Sequence, residues 1–441
     1  MLKKGLVSKL MVCCFAMSMT YTQFGYAQDT QVNTLEIEPV PSLMSLKQAL
    51  ALASNNHPSL LNSQAGIKSA QANISAAAIS NGWNGSLILN ARNADLINDE
   101  DSYKNDNYAE LSISKLIWDF GRADASQLTA DLNLQANEIH ATFAQRVQRI
   151  KIMRRFLQVI AADYRFSAEN EAMSLAFFPF SRAEERRERF GTVSELEVME
   201  KRVDYFDELS LRNQAVRDQR ASRFQLALAM GRPTIQPDGL IEPDLSAYVR
   251  ELPDFDQLLI NVLAANPRLK QSKIELKQLV LALESLKLEK KPTLKLKLSA
   301  YEYEQTHRSR DKGRGLLALE FPLFKGSVIA VQQAEIAATI LQKEAQILSL
   351  DYEIREQVLN WVQSLEAFNQ KIEQNSQNLE YRERELDKSR LLYEMEVSAR
   401  IGQAQADMAK LLWQDADVKF KRAIIWEQID AVLGTPVVEF E

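Results

Sequence analysis

The sequence predicts a mainly helical protein with a small β part, built from one arrangement of elements that occurs twice. Glycine (14) and proline (12) are scarce among the 441 residues, which favours long uninterrupted helices. Between the helical stretches, the spacing of apolar residues changes from the helical period to the strand period of two. Landmarks of the first half also return in the second half in the same order.

The duplication is visible in four pairs of short segments, whose members lie 203 to 209 residues apart. The pairs are Asn55–Pro58 with Ala265–Pro267, Trp118–Gly121 with Leu323–Gly326, Val193–Ser194 with Val397–Ser398, and Gly231–Pro233 with Gly434–Pro436. We therefore predict a first repeat over residues 45–233, a linker over 234–254, a second repeat over 255–436 and a C-terminal tail over 437–441.

Each repeat is predicted to contain a medium helix, two strands, a very long helix and a return helix. The medium helices cover about Leu46–Asn81 and Phe255–Lys290. No glycine occurs within 122–190 or 327–401, and apolar residues recur there at helical spacing, as in coiled-coil-like packing. About seventy helical residues extend on the order of 100 Å. Pro179 has no counterpart in the second repeat and is expected to kink or break its helix.

The strands are predicted over residues 85–92, 108–117, 293–303 and 315–324. Each has one polar and one apolar face, which fits an outer-membrane barrel strand and equally a half-exposed soluble sheet. The long polar loops at 93–107 and 304–313 favour the barrel. In a barrel the apolar face meets outer-membrane lipid, and we assign to it Leu87, Leu89, Leu111, Ile113, Leu294, Leu296, Leu298, Leu317, Leu319 and Phe321.

Four strands are too few to close a barrel around a pore. An open edge in lipid leaves backbone N–H and C=O groups without partners, at several kcal/mol each. Copies of the chain must then share one barrel, and three copies give twelve strands, which leave a lumen. If the strands lie in a membrane, the sequence therefore predicts that several copies share one β-barrel above duplicated long-helix hairpins, and a homotrimer would make it a 12-stranded outer-membrane β-barrel.

The N-terminus reads as a secretory signal peptide over residues 1–27, followed by an N-terminal extension over 28–44. Both cysteines, Cys13 and Cys14, lie inside the signal, although lipidation at Cys13 stays open as an alternative. Removal of the signal takes away three lysines and changes the net charge from −6 to −9. This acidity argues against nucleic acid as a partner.

No motif for catalysis or cofactor binding is found. His57, His140 and His307 lie in three separate elements without the spacing of metal ligands. No Gly-rich phosphate loop and no Gly-x-Ser-x-Gly segment occurs, so the sequence supports neither ATP use nor serine hydrolysis. We expect a protein that is not an enzyme and that needs neither a metal nor a cofactor.

From about Leu43 to Pro436 the chain resembles the TolC-like outer membrane efflux protein family, the outer membrane factors. The resemblance is carried by the duplicated order of elements and by four motifs: Asn56-His57-Pro58, Asn266-Pro267, Asp119-Phe120-Gly121 and Phe190-Gly191-x-Val193-Ser194. It implies a trimeric exit duct of a tripartite efflux pump or type I secretion system. The β-barrel would lie in the outer membrane. A periplasmic α-barrel would meet a membrane-fusion adaptor and an inner-membrane transporter of RND or ABC type.

By this resemblance, the two turns between a long helix and its return helix are periplasmic tips that contact the adaptor and narrow to an aperture. The turn residues are Phe190, Gly191, Val193, Ser194, Val397 and Ser398, and the candidate aperture residues are Glu195, Glu197, Glu200 and Arg400. Since their charges are opposite, the hypothesis is that Arg400 pairs with Glu195 or Glu197 of a neighbouring turn. The second repeat has Ala399, Ile401 and Ala404 at the positions matching the three glutamates.

One alternative belongs to a different class, a soluble periplasmic coiled-coil adaptor or scaffold. An adaptor is expected to hold a compact lipoyl-like β-domain between its helices. This sequence has instead two strand pairs with long polar loops. The exit duct is therefore the preferred interpretation.

Overall fold

The computed structural model describes residues 43–53, 57–80, 82–94, 104–233, 236–304, 310–323, 327–395 and 401–435. The predicted signal peptide and the cysteine considered for lipidation lie outside these residues. Among the described residues, two helices of 69 and 67 residues dominate the molecule, and a single four-stranded sheet lies at their N-terminal ends.

The two halves have the same order of main elements. The first half comprises β1 (Leu43–Met44), α1 (Leu46–Ala51), α2 (Pro58–Ser80), β2 (Trp83–Asn90), β3 (Asn93–Ala94), β4 (Lys104–Asn105), β5 (Tyr108–Trp118), α3 (Arg122–Phe190) and α4 (Glu195–Ala229). The second half comprises β6 (Gly239–Leu240), α5 (Phe255–Ala265), α6 (Pro267–Leu288), β7 (Thr293–Tyr303), β8 (Gly313–Glu320), α7 (Val328–Glu394) and α8 (Ile401–Leu433). A short 3₁₀ turn at Ser246–Tyr248 lies in the linker.

Each half contributes one β-hairpin to the four-stranded sheet, whose strand order is β2–β5–β7–β8. All neighbouring strands in this sheet are antiparallel. The observed strands agree with the predicted ones within about two residues, except that β8 ends at Glu320, four residues before the predicted end. Phe321, which was assigned to the lipid-facing set, therefore lies directly after the strand.

The predicted single medium helices are each two helices, so that part of the prediction is wrong. In the second half, α5 ends and α6 begins around Asn266, whose side chain accepts hydrogen bonds from the N–H groups of Arg268 (2.9 Å) and Leu269 (3.2 Å). Pro267 is the first residue of α6, and proline disfavours the helical conformation in the residue before it. Pro58 begins α2 in the same way.

Pro179 was expected to kink or break α3, and it does not break it, because the helix continues from Arg122 to Phe190. A proline inside a helix costs roughly 3 kcal/mol through the lost hydrogen bond and the clash of its ring. Aromatic packing on α4 holds the helix on both sides of it, since the rings of Phe177 and Phe180 lie 5.4 and 5.5 Å from that of Tyr205. We attribute the continuity of α3 to this packing.

The helices form a layer in which α3 is central. Near the sheet the neighbours follow the order α2–α3–α6–α7, and at the far end the order is α4–α3–α8–α7. The apolar core is densest midway along α3. Its most deeply buried side chains include Ile152, Met153, Phe156 and Leu157 of α3, Leu226 of α4 and Ile429 of α8. The linker passes this level, where Tyr248 is fully buried.

Candidate functional site

The four-stranded sheet exposes its apolar face. Residues paired across neighbouring antiparallel strands share a face. Such pairs are Leu87 with Leu111, Ile113 with Leu298, Leu296 with Leu317, and Leu294 with Leu319. Leu89 and Leu317 are 60% and 65% exposed, although leucines of a folded chain are mostly buried. The strand residues that the sequence assigned to the lipid-facing set therefore do share one face of the sheet.

The opposite face of the same sheet is mainly polar, and on the central strands β5 and β7 most of its residues are buried or half-buried. Glu110 is only 8% exposed. Its carboxylate accepts hydrogen bonds from Ser299 Oγ (3.1 Å) and Tyr301 OH (3.2 Å) and pairs with Lys297 Nζ at 2.8 Å. On the neighbouring strands, the hydroxyls of Ser86 and Ser112 lie 2.9 Å apart. The sheet is thus reversed relative to that of a water-soluble protein, in which the apolar face is the covered one.

The two edge strands of the sheet, β2 and β8, run in opposite directions, because three successive antiparallel pairings separate them. The β8 edge of one copy can therefore continue with the β2 edge of another in the same antiparallel pattern. Within the described chain each of these edges pairs with a partner on one side only.

The edges of the helical layer also carry exposed apolar residues at heptad spacing. On α7 they are Leu341, Leu348, Tyr352 and Leu359, which we call the α7 stripe. On α4 they are Leu196, Met199, Val203 and Phe206, which we call the α4 stripe. Spacings of three, four and seven residues place such side chains along one side of a helix. Both stripes face away from the interior of their own layer.

The turn between α3 and α4 lies at the far end of the layer from the sheet. Gly191 ends α3 in the left-handed conformation (φ 62°), which suits glycine because it has no Cβ. Ser194 caps α4, since its hydroxyl accepts a hydrogen bond from the Glu197 N–H at 3.1 Å. Phe190 is exposed and Val193 is half-buried. The first turn is therefore a short, well-capped hairpin.

The predicted aperture residues have different surroundings. Glu195 forms an ion pair with Arg187 of its own hairpin at 3.1 Å, and Glu200 pairs with Lys201 at 3.2 Å. Glu197 makes no side-chain ion pair within the part of the chain that the structure describes. The second turn residues Val397 and Ser398, and also Arg400, lie outside the described residues. The proposed pairing with Arg400 therefore stays a prediction.

Among the residues that the structure describes, no helix is both long and apolar enough to cross a membrane. The described His, Asp and Glu residues also form no group of three or more that could hold a metal ion. His57 precedes α2 and His140 lies within α3, whereas His307 is outside the described residues.

No family model matches this chain, and no curated protein does. Solved structures match over most of its length. The outer membrane protein VceC of Vibrio cholerae is 15% identical, and 88% of this chain covers 96% of VceC with a TM-score of 0.70. The CmeC outer membrane channel of Campylobacter jejuni is 14% identical, with 88% and 85% covered and a TM-score of 0.68. The open state of the MtrE outer membrane channel of Neisseria gonorrhoeae is 17% identical, with 88% and 89% covered and a TM-score of 0.63.

This chain has the TolC-like channel fold. The mainly helical fold with a small β part, and the resemblance stated from the sequence, are thereby confirmed. The likeness extends over both halves of the chain. In the TolC-like fold, the reversed sheet and the α3–α4 turn lie at opposite ends of the long helices.

A charged cluster at the end of the TolC-like sheet farthest from the helices was not found from the sequence. Asp106, just before β5, is fully buried and pairs with Arg92 after β2 and with Arg310 before β8 (2.5 Å). Hydrogen bonds from Arg310 and then from Arg92 lower the pKa of Asp106 to about 2. The cluster joins the loops of the two repeats, and because its members are up to 218 residues apart, no local pattern indicates it.

A second feature missed by the sequence is a β-bulge near the end of β5. The register of β5 on β7 shifts between Leu116, which pairs with Lys295, and Trp118, which pairs with Leu294. The extra residue places Trp118 on the apolar face, whereas strict alternation would place it on the polar face. A sequence pattern of period two cannot reveal such an insertion.

Proposed function

We propose that this chain is the outer-membrane exit duct of a tripartite efflux pump or type I secretion system, a passive conduit across the periplasm and the outer membrane. The observation that carries the proposal is the reversed sheet, with leucines exposed on one face and a buried polar network on the other. Such a sheet is stable when the apolar face meets lipid and the polar face meets a water-filled lumen.

The unpaired edges support a homotrimer. Three copies joined from β8 to β2 give a closed barrel of twelve antiparallel strands, which leaves no edge in lipid. The same joining brings α7 of one copy beside α2 and α4 of the next, also antiparallel. The α7 stripe and the α4 stripe would then be buried between subunits. The rotation that relates the three copies would thus pair the open strand edges and also bury the apolar residues at the edges of the helical layers.

The remaining assignments rest on this function. Residues 1–27 would be removed as a signal peptide, 28–44 would form an N-terminal extension, and the repeats over 45–233 and 255–436 would be joined by the linker. The turns at Gly191–Ser194 and Val397–Ser398 would meet a periplasmic membrane-fusion adaptor. An inner-membrane transporter of RND or ABC type would supply the energy. Arg400 would pair with Glu195 or Glu197 of a neighbouring turn and help to close the aperture.

The alternative of a soluble periplasmic adaptor or scaffold is tested by the same experiment as the duct. Leu87→Arg places a charge on the proposed lipid-facing side, where arginine costs about 2–4 kcal/mol at the bilayer midplane. Ser86→Arg is the matched control, because Ser86 directly precedes Leu87 on β2 and points to the polar face. We expect Leu87→Arg to lower the amount of trimer in the outer-membrane fraction at least tenfold, and Ser86→Arg to leave it near the wild-type level.

Efflux or secretion is measured in the same strains. The conductance of the purified protein is measured in planar bilayers. Wild-type protein that is released by osmotic shock and stays monomeric without detergent would overturn the exit duct and favour the scaffold. Equal tolerance of arginine at both positions would show that the apolar face does not meet lipid.

A further inference from the structure

The end of the sheet nearest the helices carries an unusual group of side chains on and beside its apolar face. We name Trp83, Lys115, Trp118, Phe120 and Lys291 the aromatic–lysine cluster. Trp83 and Lys115 are register partners at the start of β2 and near the end of β5. Trp83 and Trp118 are 57% and 53% exposed. Two large aromatic side chains are thus presented outward beside two cations.

The backbone departs from regular geometry at two residues of the cluster, Trp118 and Phe120. The bulge before Trp118 turns this side chain onto the apolar face. Phe120 has a φ of 62°, the one positive value found among the non-glycine residues that the structure describes. Such a conformation is unfavourable for a residue with a Cβ and persists only where the surroundings impose it. Here the Phe120 ring stacks on Trp118, with centroids 4.0 Å apart.

The two lysines of the cluster differ from the lysines of the polar face. Lys295 and Lys297 pair with Glu320 and Glu110, both at 2.8 Å. Lys115 and Lys291 make no ion pair with a carboxylate of the described chain, and their ammonium groups lie 5.4 Å from the Trp83 ring and 5.9 Å from the Phe120 ring. Among the residues that the structure describes, neither of these two cations has an anionic partner.

We propose that the aromatic–lysine cluster binds the phosphate group of a phospholipid in the periplasmic leaflet of the outer membrane. The inference rests on the proposed function, which places this end of the sheet at the periplasmic boundary of the bilayer. Tryptophan is favoured at that depth because its ring is apolar and its N–H is polar. Lysine beside it supplies the charge that attracts an anionic headgroup. The acyl chains would lie along the exposed leucines of the same face.

The opposite end of the sheet has a different arrangement of aromatic residues and cations. Tyr108, Tyr301 and Tyr303 lie there on the polar face, and Arg310 and Arg314 stack over the rings of Tyr303 and Tyr301 at 4.9 and 5.6 Å. Those arginines already pair with Asp106 and Asp311. Unpaired cations beside outward-facing aromatic rings are therefore found at the helix end of the described sheet, where the periplasmic leaflet would be.

The test uses the purified mature trimer in detergent, with phosphatidylglycerol as the probe and native mass spectrometry as the readout. The double variant Lys115→Gln/Lys291→Gln should bind phosphatidylglycerol at least about tenfold more weakly than the wild type. Lys295→Gln is the matched control, since Lys295 lies at the same level of β7 but on the polar face, and it should bind as the wild type does. Lys115→Arg/Lys291→Arg should retain binding because it retains both charges.

A second arm compares phosphatidylglycerol with diacylglycerol of the same acyl chains, which lacks the phosphate. We expect the wild type to prefer the phospholipid and the double glutamine variant to lose this preference. The proposal is overturned if the double variant binds phosphatidylglycerol like the wild type, or if the wild type binds both lipids equally. In either of these cases, channels formed by the wild type in planar bilayers would still support the exit duct. A wild type that never inserts would overturn both proposals.

Discussion

Tyr248 of the linker donates a hydrogen bond of 2.8 Å to the carboxylate of Glu427 in α8, and both side chains are buried. Arg149 of α3 lies 3.3 Å from the other carboxylate oxygen of Glu427. Burial, together with the nearby Glu427 charge, raises the pKa of Tyr248, so its phenol keeps its proton and remains the donor. The linker is thus fastened at this buried point to helices of both repeats.

Tyr248→Phe is expected to destabilise the protein by about 1–2 kcal/mol, because the Glu427 carboxylate loses one donor where water has little access. Thermal unfolding of the trimer in detergent, followed by circular dichroism, would measure the change. Tyr164→Phe is the matched control. Tyr164 also donates to a carboxylate, Glu242 at 2.7 Å, but this bond is exposed, so the loss should be clearly smaller. Equal losses at the two positions would contradict the anchoring role of Tyr248.

The charged cluster of Asp106, Arg92 and Arg310, which forms the junction of the two loops, should come apart only in strong acid. Because the pKa of Asp106 is lowered to about 2 from its usual 3.8, its ion pairs stabilise the junction above about pH 4. That contribution is lost as the pH falls from about 4 towards about 2. A spin label at position 312, introduced by Lys312→Cys, should become mobile over this range.

The same label tests the junction at neutral pH. Asp106→Asn removes the charge that Arg92 and Arg310 share, so the label should already be mobile at pH 7. Asp311→Asn is the control, because its carboxylate pairs with Arg314 (2.7 Å) in an exposed position. A label that stays immobile in Asp106→Asn would show that the ion pairs do not hold the loops together.

The cap of α4 should determine the order of the first turn. Ser194→Ala removes the hydroxyl that accepts from the Glu197 N–H, and an N-cap serine contributes about 1 kcal/mol. Hydrogen exchange of the amides in residues 195–198 should accelerate about fivefold, as expected for that free energy. Ser194→Asp supplies another acceptor and should restore slow exchange. Unchanged exchange in the alanine variant would rule out the cap as the source of order.

The α7 stripe should hold the trimer together. Leu348→Glu places a charge at the centre of this stripe, and we expect the trimer to dissociate at concentrations at least about tenfold higher than for the wild type. Gln342→Glu adds the same charge at another exposed position of α7, about 100° around the helix from Leu341. Light scattering coupled to size-exclusion chromatography in detergent would compare the two. A stable trimer in Leu348→Glu would place the subunit interface elsewhere.

Local patterns were sufficient for the main elements. The alternation of Leu87 and Leu89 predicted a strand with one apolar face, and the absence of glycine between Gly121 and Gly191 predicted the long helix that the structure contains. They were insufficient wherever one residue changes a regular pattern. Pro179 was expected to kink or break α3, but packing of neighbouring aromatic rings on Tyr205 keeps the helix continuous. The interruption at Asn266 was underestimated, because its strength comes from side-chain capping as well as from Pro267.

The sequence by itself determined the kinds of element, their duplication and the apolar face of the strands, since these depend on residues a few positions apart along the chain. Tertiary structure alone decided which distant groups meet, such as Asp106 with Arg310 and Tyr248 with Glu427. It also decided that Trp118 faces the apolar side, because a bulge depends on the register between two strands. Periodicity describes one element at a time, whereas ion pairs and register arise only when two elements are packed together.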